Sequence, residues 1–109
     1  MKSIEETKDK FKVIYVDIDE TICTTPPSRD YHEAQPIVKN IDKINRLYDK
    51  GHTIVYWTAR GSRKQINWFE LTSKQLKQWG AKHHELRVDK PYYDIFVDDK
   101  TITIEDLEA

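Results

Sequence analysis

The stretch Phe11-Lys-Val-Ile-Tyr-Val-Asp-Ile-Asp19 decides the fold. Its first six residues are rich in β-branched and aromatic side chains and almost continuously apolar. A run of that kind suits a strand buried on both faces, as in a parallel sheet. It ends abruptly on two carboxylates, Asp17 and Asp19. In an extended chain, residues i and i+2 point the same way, so both acids can face one site.

Ahead of this strand, residues 1–10 are a polar and charged lead-in without the apolar core of a signal peptide. Behind it, Glu20 to Pro36 carries Pro26, Pro27, Ser28 and Asp30 and reads as a long loop; loops of that length inside compact domains are usually functional. Ile37, Val38, Ile41, Ile44, Leu47 and Tyr48 recur at helical spacing, with Pro36 near the start and Gly51 past the end. Thr53–Trp57 is a second buried-strand pattern. Ser62 to Trp79 reads as broken helix, with Thr72 and Gln75 in the spacing of a capping box that would start its second piece; Gly80 would end it. Glu85–Val88 is a weak third strand, Asp94–Val97 a stronger fourth, and Thr101–Ala109 fits either a short strand or a capped helix. Alternating strands and helices predict an α/β fold, with right-handed crossovers placing the carboxyl ends of the strands on one edge, where ligands bind.

The chain has 109 residues, enough for one domain, 1–109, with little room for a second. Its 18 basic and 19 acidic side chains are well mixed, so no basic block points to nucleic acid and no acidic tail to a basic partner. Cys23 is the single cysteine, which excludes an intrachain disulfide. No apolar stretch approaches the ~20 residues of a membrane span, and the cytoplasm is the expected compartment.

Two adjacent carboxylates repel each other unless a cation or proton sits with them, and a hard ion such as Mg²⁺ takes oxygen ligands. Asp98-Asp99 closes the expected fourth strand just as Asp17 and Asp19 close the first. Acidic residues are depleted in strands and costly to bury unpaired, so two such pairs on one sheet edge read as a cation site. Thr58, in Tyr56-Trp-Thr-Ala-Arg-Gly61, closes the second strand and offers a hydroxyl and turn amides to phosphate oxygens. Lys90, in Asp89-Lys-Pro91, adds a positive charge. His83 and His84 are adjacent and would point to opposite faces of a strand, which speaks against a shared metal. Trp57, Trp68 and Trp79 are expected to pack helices on the sheet, and Cys23 to be a small buried thiol.

Together, Asp17-Ile-Asp-Glu-Thr21, Thr58, Lys90-Pro91 and Asp98-Asp99 resemble the four motifs of the haloacid dehalogenase (HAD) phosphohydrolases, in order and over nearly the whole chain. More narrowly, Thr58-Ala-Arg-Gly61, His84-Glu-Leu86, Lys90-Pro-Tyr-Tyr-Asp94 and Val97-Asp-Asp-Lys100 are similar to small HAD proteins of bacterial capsule and lipopolysaccharide synthesis. The resemblance implies a Rossmann-like core with a mainly parallel sheet. It also implies an Mg²⁺-dependent phosphatase acting on a small phosphorylated metabolite, such as a sugar phosphate or cell-envelope precursor. Asp17 would be the nucleophile and Asp19 the acid and then the base. Mg²⁺ would be held by Asp17, the backbone carbonyl of Asp19 and Asp98, with Asp99 supporting; Thr58 and Lys90 would neutralise the phosphoryl group.

The chain departs from the family pattern at Glu20, where Gly is usual and permits backbone angles that Glu disfavours. Lys90 also needs explaining, because a straight run from Lys90 to Asp98 would span about 26 Å. Lys90 must fold back, or Lys100 takes its place; Lys90 is preferred. Only 41 positions separate Asp17 from Thr58 and 32 separate Thr58 from Lys90, so no inserted cap domain fits. An open site leaves specificity to Arg29, Tyr31 and His32 of the loop and to Arg60 and Arg63 after the second motif. Other readings are a polynucleotide 3′-phosphatase, against which the missing basic stripe counts, and a non-catalytic binding protein, which would be expected to lose Asp17 or Asp19. A homo-oligomer is compatible with a small capless domain.

Overall fold

The computed structural model describes residues 11–60 and 68–109. Arg63 and the start of the expected Ser62–Trp79 helix lie outside the described residues.

Three strands form one parallel sheet in the order β1 (Val13–Val16), β4 (Thr53–Trp57), β5 (Glu85–Arg87). Val16 stands beside Tyr56, and Trp57 beside Arg87, so the three strands end at one edge. Between β1 and β4 the chain makes a two-stranded antiparallel ribbon, β2 (Cys23–Thr24) with β3 (Gln35–Pro36), and a 3₁₀ turn over Tyr31–Glu33. The expected loop is therefore a folded excursion. Ile37 N–H donates to the Ile22 carbonyl at 2.8 Å, and the Asn40 side-chain amide donates to the Thr21 carbonyl at 2.8 Å, tying it to the following helix.

That helix, α1 (Val38–Asp49), buries Ile41, Ile44 and Leu47 at the predicted helical spacing. Gly51, at φ 103°, ends it where a Cβ would come within 2.6 Å of the Phe11 ring. The second helix, α2 (Phe69–Gln78), starts three residues before the expected capping box. Thr72 and Gln75 lie inside it, both buried. Val16, Ile18, Ile22, Ile41, Ile44, Leu47, Ile54, Tyr56 and Leu76 make the core, with Ile104 and Leu107 of the tail packed against it. The tail is neither strand nor helix but a turn, whose Ile104 carbonyl accepts from Lys43 Nζ at 2.7 Å.

Two expectations about strands need correcting. β4 is buried through its centre as expected, but β1 is not: Val13 and Tyr15 on one face are 66% and 49% exposed. Asp94–Val97 is not a strand, and Ile95 and Val97 are 80% and 91% exposed. A strand pattern only becomes a strand where it finds a partner's backbone, and among the described residues β1 pairs with β4 alone. Among the described residues, no helix is long and apolar enough to cross a membrane.

Candidate active site

The parallel register brings the residues that follow the strands together. Asp17 follows β1, Thr58 follows β4, and Lys90 stands three residues beyond β5. All three, with Asp19, line a cavity of about 500 Å³ at that edge. Lys90 does fold back: its amide donates to the Thr58 carbonyl at 3.2 Å, and its Nζ lies 3.5 Å from Asp17 Oδ1. Its ammonium also sits over the Trp57 and Tyr93 rings, 5.7 and 5.5 Å from their centres. Lys100 lines a neighbouring, larger cavity instead.

The two carboxylates beyond β1 have opposite surroundings. Burial pushes the Asp17 carboxyl up, and although the Lys90 charge works against this, the net shift is upward. Burial also acts on Asp19, but there hydrogen bonds and charge from Arg60 prevail and hold the carboxyl below its ordinary value. Arg60 grips Asp19 side-on, with Nε 3.0 Å from Oδ2 and Nη2 2.9 Å from Oδ1. Thr25 Oγ1 donates to the same Oδ1. Between them, Ile18 is fully buried and anchors the turn, with Ile22 N–H donating to its carbonyl at 2.9 Å.

The turn itself is unusual at Glu20, whose φ is 65°, a left-handed value that favours glycine. Its carboxylate accepts from the Thr25 amide at 3.2 Å and pairs with Arg29 at 3.3 Å. Thr58 is 1% exposed; its hydroxyl oxygen accepts the Arg60 amide at 3.2 Å. Cys23 is fully buried as expected, its thiol pushed up to about 12 by burial.

The substrate-facing residues named from sequence divide. Arg29, Tyr31 and Arg60 line the cavity. His32 is turned to Asp30, with Nδ1 3.0 Å from its carboxylate, and meets the Trp68 ring edge-on. Arg60 is buried, its guanidinium held by Asp19 and by α2. Trp68, Tyr92 and Tyr93 also line the cavity, and Trp68 packs edge-on against Tyr31 there. Nothing in periodicity distinguishes those three from core aromatics; only their place on the wall of the same cavity does.

The second acidic pair is not gathered in. Asp98 lines the cavity of about 940 Å³ that Asp17 also borders, but its carboxylate accepts from the Asp99 amide at 2.9 Å and the Thr101 hydroxyl at 3.3 Å. Among the described residues no three His, Cys, Asp or Glu side chains converge as a metal site. By donor type the set still suits magnesium, since Asp17, Asp98 and Asp99 offer hard carboxylate oxygens.

No family model matches the chain, and no curated protein matches it. Among solved structures it is similar to a crystal structure of a structural-genomics target from Vibrio cholerae, at 24% identity and a TM-score of 0.78, over 86% of this chain and 85% of that one. The likeness shows the fold: a small α/β domain built on a parallel three-stranded sheet.

Proposed function

We propose that this chain is a HAD-type phosphohydrolase that cleaves the phosphate monoester of a small metabolite, with Asp17 as nucleophile. The observation that carries this reading is the meeting of Asp17, Asp19, Thr58 and Lys90 around one cavity at the carboxyl edge of a parallel sheet. Such edges are where open α/β sheets bind ligands.

An Asp17 oxygen attacks phosphorus, and the bond from phosphorus to the leaving oxygen breaks as that oxygen takes a proton from Asp19. Water then attacks the aspartyl-phosphate, Asp19 takes its proton, and phosphate leaves with the Asp17 carboxylate restored. The Arg60 pair favours the ionised Asp19 of the second half, so the acid role in the first half requires the bound substrate to offset it. Lys90 and the Thr58 hydroxyl neutralise phosphoryl oxygens, where charge sits in a loose transition state. Magnesium, when bound, would take oxygens of Asp17 and the Asp19 backbone carbonyl and supply further positive charge; Asp98 and Asp99 would have to close onto Asp17 to join them. The aromatic rings of Tyr31, Trp68, Tyr92 and Tyr93 suit a ring-bearing leaving group such as a sugar.

The test is phosphate release from a panel of phosphorylated sugars, nucleotides and 3′-phosphorylated oligonucleotides, with Mg²⁺ or chelator, for wild type and Asp17→Asn. Expected are metal-dependent turnover that vanishes in the variant and an Mg²⁺-induced rise in melting temperature for wild type only. Equal turnover in both proteins would remove Asp17 from the nucleophile's role. Preference for the oligonucleotide would favour the polynucleotide reading, and folded, Mg²⁺-binding protein without turnover would favour a binding role.

A further inference from the structure

Arg60 is the most completely buried large side chain of the site, at 2% exposure for the residue and none for its side chain. A guanidinium has five N–H donors in a fixed fork, and here each direction has an acceptor. Nε meets Asp19 Oδ2 at 3.0 Å; Nη2 meets Asp19 Oδ1 at 2.9 Å and Cys23 Sγ at 3.8 Å. Nη1 meets Thr72 Oγ1 at 3.1 Å and also Gln75 Oε1. The plane is closed by the Tyr31 ring, 4.7 Å away. Arg60 borders the cavity, but its side chain exposes no surface to it and no N–H is left to reach a phosphate.

We propose that Arg60 is a positioning residue: it fixes the Asp19 carboxylate toward the leaving oxygen and does not itself touch substrate. This deepens the phosphatase reading and rests on it. Buried ion pairs are poor devices for stability, since hydrophobic replacements of similar volume often serve as well. They are good devices for geometry, because a planar fork holds a carboxylate in one orientation. Thr72 and Gln75 aim that fork from α2. Gln75 also donates from Nε2 to the Tyr31 carbonyl at 2.6 Å, so the clamp, the helix and the loop bordering the cavity are held as one unit. A lysine at position 60 could keep the charge but could not reproduce the two parallel bonds.

The experiment compares wild type, Arg60→Lys and Thr72→Val on an alkyl phosphomonoester and on p-nitrophenyl phosphate, whose leaving group needs little protonation. Wild-type turnover of either compound supplies the reading on which the proposal rests. For Arg60→Lys, kcat/KM on the alkyl ester should fall about 100-fold, the scale of a misplaced catalytic group, and on the aryl ester less than about tenfold. KM should change little on either. Thr72→Val, which keeps Arg60 and so tests the clamp even if Arg60→Lys fails to fold, should show a smaller loss with the same leaving-group bias. In an Asp19→Asn background, Arg60→Lys should cause no further loss on the aryl ester.

A rise in KM at constant kcat would mean that Arg60 binds substrate, and equal losses on both esters, or full additivity with Asp19→Asn, would mean that it does not act through Asp19. Any of these overturns the proposal. If wild type turns over neither ester, the phosphatase reading has failed instead. The clamp is then judged by melting temperature, where Arg60→Lys and Asp19→Asn should be non-additive and additive shifts would refute it.

Discussion

Asp17 and Asp19 leave β1 two residues apart, and their electrostatics diverge because burial outweighs the Lys90 charge at Asp17, whereas the bonds and charge of Arg60 outweigh burial at Asp19. The sign of each contribution to stability follows by linkage. Asp17 has a raised carboxyl, so its contribution is present below the ordinary 3.8 and is lost as pH rises through the folded value. Asp19 has a lowered carboxyl, so its contribution is present above 3.8 and is lost as pH falls through the folded value. Urea unfolding from pH 3 to 7 should therefore separate two variants. Asp17→Asn should gain on wild type as pH rises above 3.8. Asp19→Asn should be the weaker protein at neutral pH, by about 3 kcal/mol, because Arg60 loses its charge partner. Equal pH profiles for the two variants would contradict the assigned surroundings. Glu20 gives a second test at this scale. At φ 65° a non-glycine residue costs about 1 kcal/mol, whereas its carboxylate holds Thr25 and Arg29. Glu20→Ala keeps the strain and loses the bonds, so it should be less stable than Glu20→Gly by about 1 kcal/mol. Similar stability of the two would mean that the turn relaxes in solution.

At the scale of elements, α1 and β4 were legible, because each carries its period in its own residues and each sets its central apolar positions into the core, although Val38 at the start of α1 stays exposed. Deleting part of that contact should be expensive: Ile44→Ala, at a position with no exposed surface, should cost about 3 kcal/mol in denaturant unfolding. Asp94–Val97 has as good a strand composition as Thr53–Trp57, yet only the latter has strands hydrogen-bonded on both sides. Val97→Thr should then change stability by less than about 0.5 kcal/mol. A loss above 1.5 kcal/mol, about the cost of burying a polar group, would mean that this segment is packed in solution after all. Thr72 and Gln75 illustrate a second limit. Their spacing reads equally as a capping box or as two polar side chains on one helix face, and the buried guanidinium of Arg60 is what chose the second.

For the molecule as a whole, the cavity at the sheet edge is open and lined by charge of both signs, so anion binding should couple to folding. Inorganic phosphate at 100 times its Kd should stabilise wild type by about 2.7 kcal/mol, and Lys90→Ala should lose most of that gain; a thermal shift titration measures both, and an equal gain in the variant would take Lys90 out of the anion site. The amino-acid sequence alone was enough for the α/β class, the first helix, the strands β1 and β4 and the residues at their ends. Each of these is written locally, in a hydrophobic period or in an abrupt change from apolar to acidic. Tertiary structure alone decided which of those ends meet. The parallel register brought the ends of β1 and β4 to one edge, where Asp17 and Thr58 line one cavity, and the return of the chain after β5 brought Lys90 to Asp17, while Asp98 and Asp99 stay exposed. It also turned Arg60 from an expected substrate contact into a buried partner of Asp19. Such pairings join residues 41 positions apart, and no local pattern encodes them, because the free energy that selects them comes from closing the whole chain around one core.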